Sequence, residues 1–354
     1  MNQDDTTTET TQTTETIDGS TRMRSATATA RARLCTVCSN HRILTAICTL
    51  LTLIVVATGV DVGVLMARPE RFSLQVPTVT SSAPETWLVV GTDSRETVPG
   101  DQSQFGTVEQ TGEGKRADVI ALIQLRDGKV SVALIPRDLT VGTSFFEQER
   151  LSGSFLQGPQ HTADLLCENL GVPVNHLITV DMAQFAKIVD SLGGVDVDIP
   201  EPVHDVYAGL NIQHAGPTHL DGISALALVR SRHPVVLRDG NWVALSEEEG
   251  AKRRTESSGI VMRQVMTAAR TKAHSPIATH SLAHLVASNI GLDYGTGPLD
   301  LLRLANAVLS TNQIDVVDVP GPLINDTFVA LPTDDTYRVL GELGYAKGTC
   351  TPTN

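Results

Sequence analysis

Three short clusters of acid and arginine, and a fourth of arginine alone, could do chemistry in this chain. Gly91-Thr92-Asp93-Ser94-Arg95 closes the apolar run Trp87-Leu88-Val89-Val90, and Arg116-Ala117-Asp118 opens the run 119–123. Pro136-Arg137-Asp138 closes the run 131–135, and Arg230-Ser231-Arg232 closes the run 225–229. Carboxylates are hard oxygen donors that suit Mg²⁺, and guanidinium forks match the oxygens of phosphate. Apolar runs that deliver Asp and Arg at their ends point to one pocket for a metal ion and a phosphorylated ligand. The ten histidines show no metal spacing of the His-Glu-x-x-His type, and His204, His214, His219 and His233 read as loop residues. A P-loop, a dinucleotide fingerprint and a Ser–His–Asp arrangement are not evident.

The elements that must position these clusters follow from periodicity. Strands are expected over 87–90, 118–125 and 129–135, the last two joined by the hairpin chemistry of Arg126-Asp127-Gly128. A helix over 161–170 ends at Gly171, and 176–180 is apolar. Met182, Phe185, Ala186, Val189 and Leu192 recur at helical spacing until Gly193-Gly194 stops them before a strand over 195–199. A turn and helix fill 216–232, and helices are expected over 256–273, 282–288, 299–309 and 334–343, with a strand over 314–319. The stretch 234–250, with Glu247-Glu248-Glu249, reads as a solvated loop. Strands and helices in one continuous pattern imply a single α/β domain over 85–345, with its motifs in 86–275, an extension over 276–345 and a tail over 346–354.

Ahead of the domain, residues 1–42 hold a Thr-rich polar stretch, which is expected to be disordered, and then Arg22, Arg24, Arg31, Arg33 and Arg42. Residues 43–60 carry no charge, and an anchor over 43–66 is long enough to span a bilayer. Arginine before the span places the N-terminus in the cytoplasm and the domain outside it. A cleavable signal peptide is the competing reading. Residues 67–84 read as a tether. The formal net charge of −13 argues against nucleic-acid binding, which needs a basic face. Beyond the span only Cys167 and Cys350 remain, and the sequence leaves their pairing open. Cys35 and Cys38 have no second pair to complete a metal site.

Taken together, the motifs resemble the LytR-CpsA-Psr family. Gly-x-Asp-x-Arg at 91–95, Arg-x-Asp at 116–118, Pro-Arg-Asp at 136–138, Leu-Gly-Gly-Val-Asp-Val at 192–197 and the late block from Leu220 to Arg232 follow in the family's order. The resemblance implies one span and an extracytoplasmic α–β–α domain with a central mixed sheet and an apolar channel for a polyprenyl chain. It implies a Mg²⁺-assisted phosphotransferase that moves a glycopolymer from a polyprenyl diphosphate carrier to peptidoglycan, at a muramic acid C6 hydroxyl. By the same resemblance Asp93 and Asp118 hold the metal, and Arg116, Arg137, Arg230 and Arg232 bind the diphosphate and stabilise the transfer. Arg95 joins that cluster, and Asp138 either supports it or acts on the acceptor hydroxyl as a base.

The chain departs from the family pattern after Arg232. In one register Arg254 takes the first arginine of the family's late helix and Ser257-Ser258 replace Arg-Gln; in the other, Arg263-Gln264 are the pair. Two further functions would suit the same pocket: hydrolysis of a polyprenyl diphosphate, and noncatalytic binding of polyprenyl phosphates in wall assembly.

Overall fold

The computed structural model describes residues 45–353 apart from 81–82, 94–113, 127–128, 143, 145–146, 312–313 and 325–328. The reading of residues 1–42, Cys35 and Cys38 among them, lies outside these residues. The chain divides between Val62 and Gly63. Thr45–Ala67 is a helix of 23 residues, long and apolar enough to cross a membrane. At about 1.5 Å per residue it exceeds the ~30 Å of a bilayer's hydrocarbon core. Most of its leucines and valines are exposed, Leu53 and Val55 among them.

The domain is built on a mixed sheet of seven strands. Across it run Glu70–Phe72, Gly291–Asp293, His176–Asp181, Glu85–Thr92, Ala117–Arg126, Lys129–Ile135 and Asp315–Asp318. The first pair is parallel, as are 85–92 with 176–181 and 129–135 with 315–318; the remaining neighbours are antiparallel. Both faces are covered, which is why these strands read as nearly continuous apolar runs. Leu88, Val90, Ile120 and Leu122 pack with Leu166 and Leu170 of the helix Pro159–Leu170 on one face. Trp87, Ala121, Ile123 and Val132 pack on the other with Met266 of Glu247–Lys272 and Leu304 of Pro298–Ser310. Each such fully buried side chain contributes about 1.5–3 kcal/mol.

A second cluster lies under the short strands Val195–Ile199, Val203–Asp205 and Leu210–Ile212 and the helix Gly222–Arg230. Met182–Leu192 begins at Asp181, whose side chain accepts from the Gln184 backbone in a capping box. Its neighbour Gly222–Arg230 crosses it closely, because a Cβ at Gly222 would stand 2.1 Å from the Ala186 carbonyl oxygen. Only glycine permits that approach.

Several sequence expectations change. The 234–250 stretch is not a loop: it forms the hairpin Val235–Arg238 with Asn241–Ala244 and the first turn of a helix that starts at Glu247 rather than at Glu256. Ser246 caps that helix in a capping box with Glu249, and the three glutamates favour the positive end of its dipole. Residues 67–84 are tied into the fold through Glu70–Phe72 and through Thr78–Val79, which pairs with Cys350–Thr351. The tail is tied in as well, by the Cys167–Cys350 disulfide with its Cα atoms 5.3 Å apart.

Candidate functional site

The acid–arginine clusters meet at one cavity of about 920 Å³. Asp93, Arg116, Asp118, Arg137, Arg230, Arg232 and Arg254 all line it. Arg95 lies outside the described residues. Asp138 is not in the wall among the described residues.

A bulge builds the carboxylate pair. Gly91 pairs with Val119 and Thr92 with Ala117, so Asp118 is the extra residue between them. A bulge of this kind turns a side chain out of the sheet's alternation. Asp93 is held against the same strand start: its Oδ1 accepts from the Arg116 backbone N–H at 2.8 Å, and its own N–H donates to the Arg116 carbonyl at 3.1 Å. Asp118 Oδ1 accepts from Arg137 Nη1.

Asp138 lies behind the arginines rather than beside them. It is 2% exposed. Its Oδ2 is 3.3 Å from Arg254 Nη2 and 3.7 Å from Arg137 Nε, and its Oδ1 is 3.7 Å from Arg150 Nη1. The carboxylate is enclosed by guanidiniums and is not in the cavity wall among the described residues, a position that suits the structural partner the sequence offered first. Burial lowers the Arg137 pKa to about 10, with Arg254 and Arg232 acting in the same direction and Asp138 and Asp93 opposing them. Guanidiniums that discourage each other's charge in this way favour an anionic ligand.

Arg230 and Arg232 arrive from the end of Gly222–Arg230. Asp205, 1% exposed, fixes the segment that follows. Its Oδ2 accepts from the Ser231 hydroxyl at 2.8 Å and from the backbone N–H groups of Arg232 and His233 at 2.9 and 3.0 Å. Its Oδ1 accepts from the backbone of Tyr207 and Ala208 at 3.0 and 3.2 Å. Sequence reasoning missed Asp205; its one signal is an acid beside the valines Val203 and Val206. Arg150 and Ser258 in the wall were missed as site residues, and His233, in a loop as expected, also lines the cavity; His204 and His219 stand instead in the strands Val203–Asp205 and Gly216–Leu220.

The long helix settles the register left open in the sequence. Arg254 faces the cavity and Asp138, whereas Arg263 lies beside Asp318 and neither it nor Gln264 is in the wall among the described residues. Ser258 stands in the wall one turn after Arg254, its hydroxyl donating to the Arg254 carbonyl at 2.8 Å. Beyond the arginines the wall turns apolar, with Phe185, Ile188, Leu226, Val229, Val261 and Met262. The cavity lining therefore combines a cluster of charged side chains with a set of apolar ones, the two surfaces that an amphipathic ligand with an anionic head needs.

Residues 56–338 match the model of the LytR_cpsA_psr family. The structure is similar to the LytR-Csp2A-Psr enzyme from Actinomyces oris, with 43% identity and a TM-score of 0.71 over 81% of this chain and 99% of that one. Bacillus subtilis TagV shares the fold at 19% identity and a TM-score of 0.53, over 75% of this chain and all of that one. In sequence the chain is 33% identical over 156 residues to the Corynebacterium glutamicum "Probable cell wall biosynthesis protein LcpB". It is 28% identical over 131 residues to the Bacillus subtilis polyisoprenyl-teichoic acid–peptidoglycan teichoic acid transferase TagV. These two alignments cover 44% and 34% of this chain, and 37% and 34% of the relatives' own lengths. The chain belongs to the LytR-CpsA-Psr family.

Proposed function

We propose that this LytR-CpsA-Psr protein transfers a glycopolymer from a polyprenyl diphosphate carrier onto peptidoglycan, at a muramic acid C6 hydroxyl. The observation that carries the reading is that one cavity is lined both by arginines and carboxylates and by a set of apolar side chains. A diphosphate suits the charged residues and a prenyl chain the apolar ones. The Thr45–Ala67 helix would hold the domain at the membrane that supplies such a carrier, with the N-terminus in the cytoplasm. The relatives named as teichoic acid transferases support the same chemistry.

Asp93 and Asp118 fit a divalent cation. Both line the cavity, and each has one carboxylate oxygen engaged with the protein, which leaves the other as a hard donor. Mg²⁺ held there would neutralise charge on the diphosphate. The chain's own residues do the rest. Arg116, Arg137, Arg230 and Arg232 bind the phosphate oxygens and stabilise the charge that gathers on them in the transition state. Asp138 holds Arg137 and Arg254 in place, and Asp205 holds the backbone of Arg232. The acceptor hydroxyl attacks the sugar-linked phosphorus in line; the new O–P bond forms as the bond to polyprenyl monophosphate breaks.

The test is full-length protein in detergent with a polyprenyl diphosphate oligosaccharide, peptidoglycan oligomers and Mg²⁺, read by mass spectrometry. An oligosaccharide–peptidoglycan adduct that disappears in Arg137→Ala supports transfer. Polyprenyl phosphate released without an adduct indicates hydrolysis, and tight lipid binding without turnover indicates a binding protein; either would overturn the proposal.

A further inference from the structure

The transfer just described needs a group to take the proton of the acceptor hydroxyl, and Asp138 is enclosed by arginines. His233 is a titratable side chain in the wall of the same cavity. It lines the cavity next to Arg232, with 42% of its side chain exposed. Its Nδ1 is 3.1 Å from Glu247 Oε1, and the other oxygen of that carboxylate is 3.7 Å from Arg232 Nε. One carboxylate thus ties the imidazole to a phosphate-binding arginine. With Nδ1 turned to Glu247, Nε2 is the nitrogen left to receive a proton.

The arrangement is built into the backbone on both sides. Asp205 accepts from the His233 N–H. On the other side the long helix comes so close that a Cβ at Gly250 would stand 2.3 Å from the Arg232 carbonyl oxygen. Glycine at that position lets the first turn of the helix deliver Glu247 to residues 232 and 233. The Tyr207 ring packs edge-on to the imidazole, 6.0 Å between centroids. The titratable and charged groups around His233 are therefore Glu247 from the helix, Tyr207 and Asp205 from the preceding hairpin, and Arg232 beside it. An imidazole oriented by a carboxylate and facing the reacting group is the arrangement of a general base.

We infer that His233 and Glu247 form the proton-accepting pair that activates the acceptor hydroxyl, an inference that rests on the transferase reading. His233 Nε2 accepts the hydroxyl proton as the oxygen bonds to phosphorus, and the phosphorus–oxygen bond to polyprenyl phosphate breaks. The imidazolium is stabilised by Glu247 and then loses its proton to solvent.

The test uses the adduct assay on full-length protein with His233→Gln, His233→Ala and Glu247→Gln. His233→Gln is expected to lower kcat by about 100-fold to 10,000-fold, with the donor KM within about threefold of wild type. Glu247→Gln, which loses the carboxylate that orients the imidazole, is expected to lower kcat by about tenfold or more with the donor KM within about threefold of wild type. Added imidazole should restore part of the activity of His233→Ala. Turnover retained by His233→Gln, or lost only in step with donor binding, would overturn the inference while leaving the transferase reading intact. If His233→Gln proves unfolded, a folded Glu247→Gln with wild-type kcat overturns it instead. A wild type that forms no adduct overturns both.

Discussion

Asp138 Oδ2 lies 3.3 Å from Arg254 Nη2, between residues 116 positions apart in sequence. The contact joins the end of a central strand to the long helix across the sheet's face, beneath the cavity. Arg137 and Arg150 share the same carboxylate, so a single buried anion holds three guanidiniums.

Asp138→Asn is therefore expected to act on stability and donor binding together. Removing one partner of a buried ion pair costs about 3–5 kcal/mol, so chemical denaturation should show a loss of that order. Donor affinity should fall with it as Arg137 and Arg254 separate. Unchanged stability and donor binding with transfer lost would return Asp138 to the role of a base.

The apolar lining of the cavity makes a separate prediction. Met262 belongs to that lining, on the long helix. Met262→Glu places a charge where a prenyl chain would lie and should weaken binding of a long-chain polyprenyl diphosphate by at least about tenfold, or 1.4 kcal/mol. A water-soluble sugar diphosphate should bind the variant and wild type alike. Titration calorimetry with the two ligands separates the cases.

Much of this site was legible because strands announce themselves by composition and their ends by the polar residues that follow. Asp93, Arg116, Asp118 and Arg137 could be placed at strand ends because the strands expected over 87–90, 118–125 and 129–135 fall within the observed Glu85–Thr92, Ala117–Arg126 and Lys129–Ile135. What sequence could not give was direction. Asp138 and Arg137 are neighbours in sequence, yet one carboxylate faces the interior and one guanidinium the cavity. Asp205 matters only because residues 26–28 positions later fold back onto it. The run Glu247-Glu248-Glu249 looked like solvated loop because three like charges suit water. The same residues also suit a helix N-terminus behind Ser246, and tertiary contact with Arg232 and His233 favours the second outcome.

The disulfide ties the helix Pro159–Leu170 to the C-terminal strand across a separation of 183 residues. A native crosslink of this kind contributes about 2–5 kcal/mol. Reduction, or Cys350→Ser, should lower the thermal midpoint. Adduct formation at a temperature where the variant remains folded should be unaffected, because neither cysteine lines the cavity.

Tyr345, 3% exposed, donates to or accepts from Thr86 Oγ1 at 2.9 Å. Burial pushes its pKa up to about 12. The unfolded chain ionises this phenol near pH 10, so between about pH 10 and 12 the folded state holds the extra proton and stability falls as pH rises. The full effect is on the order of 3 kcal/mol. Below pH 10 this contribution is complete and flat. Tyr345→Phe should lose about 1 kcal/mol at neutral pH with its hydrogen bond, yet show a shallower alkaline decline in a denaturant series.

The most direct test of the account is a crystal structure of the full-length protein with Mg²⁺ and a nonhydrolysable polyprenyl diphosphate glycoside. The account predicts the diphosphate within hydrogen-bond distance of Arg116, Arg137, Arg230 and Arg232, with the cation on Asp93 and Asp118. It places the prenyl chain along Phe185, Val261 and Met262. A diphosphate bound away from these arginines, or a prenyl chain outside the cavity, would contradict it.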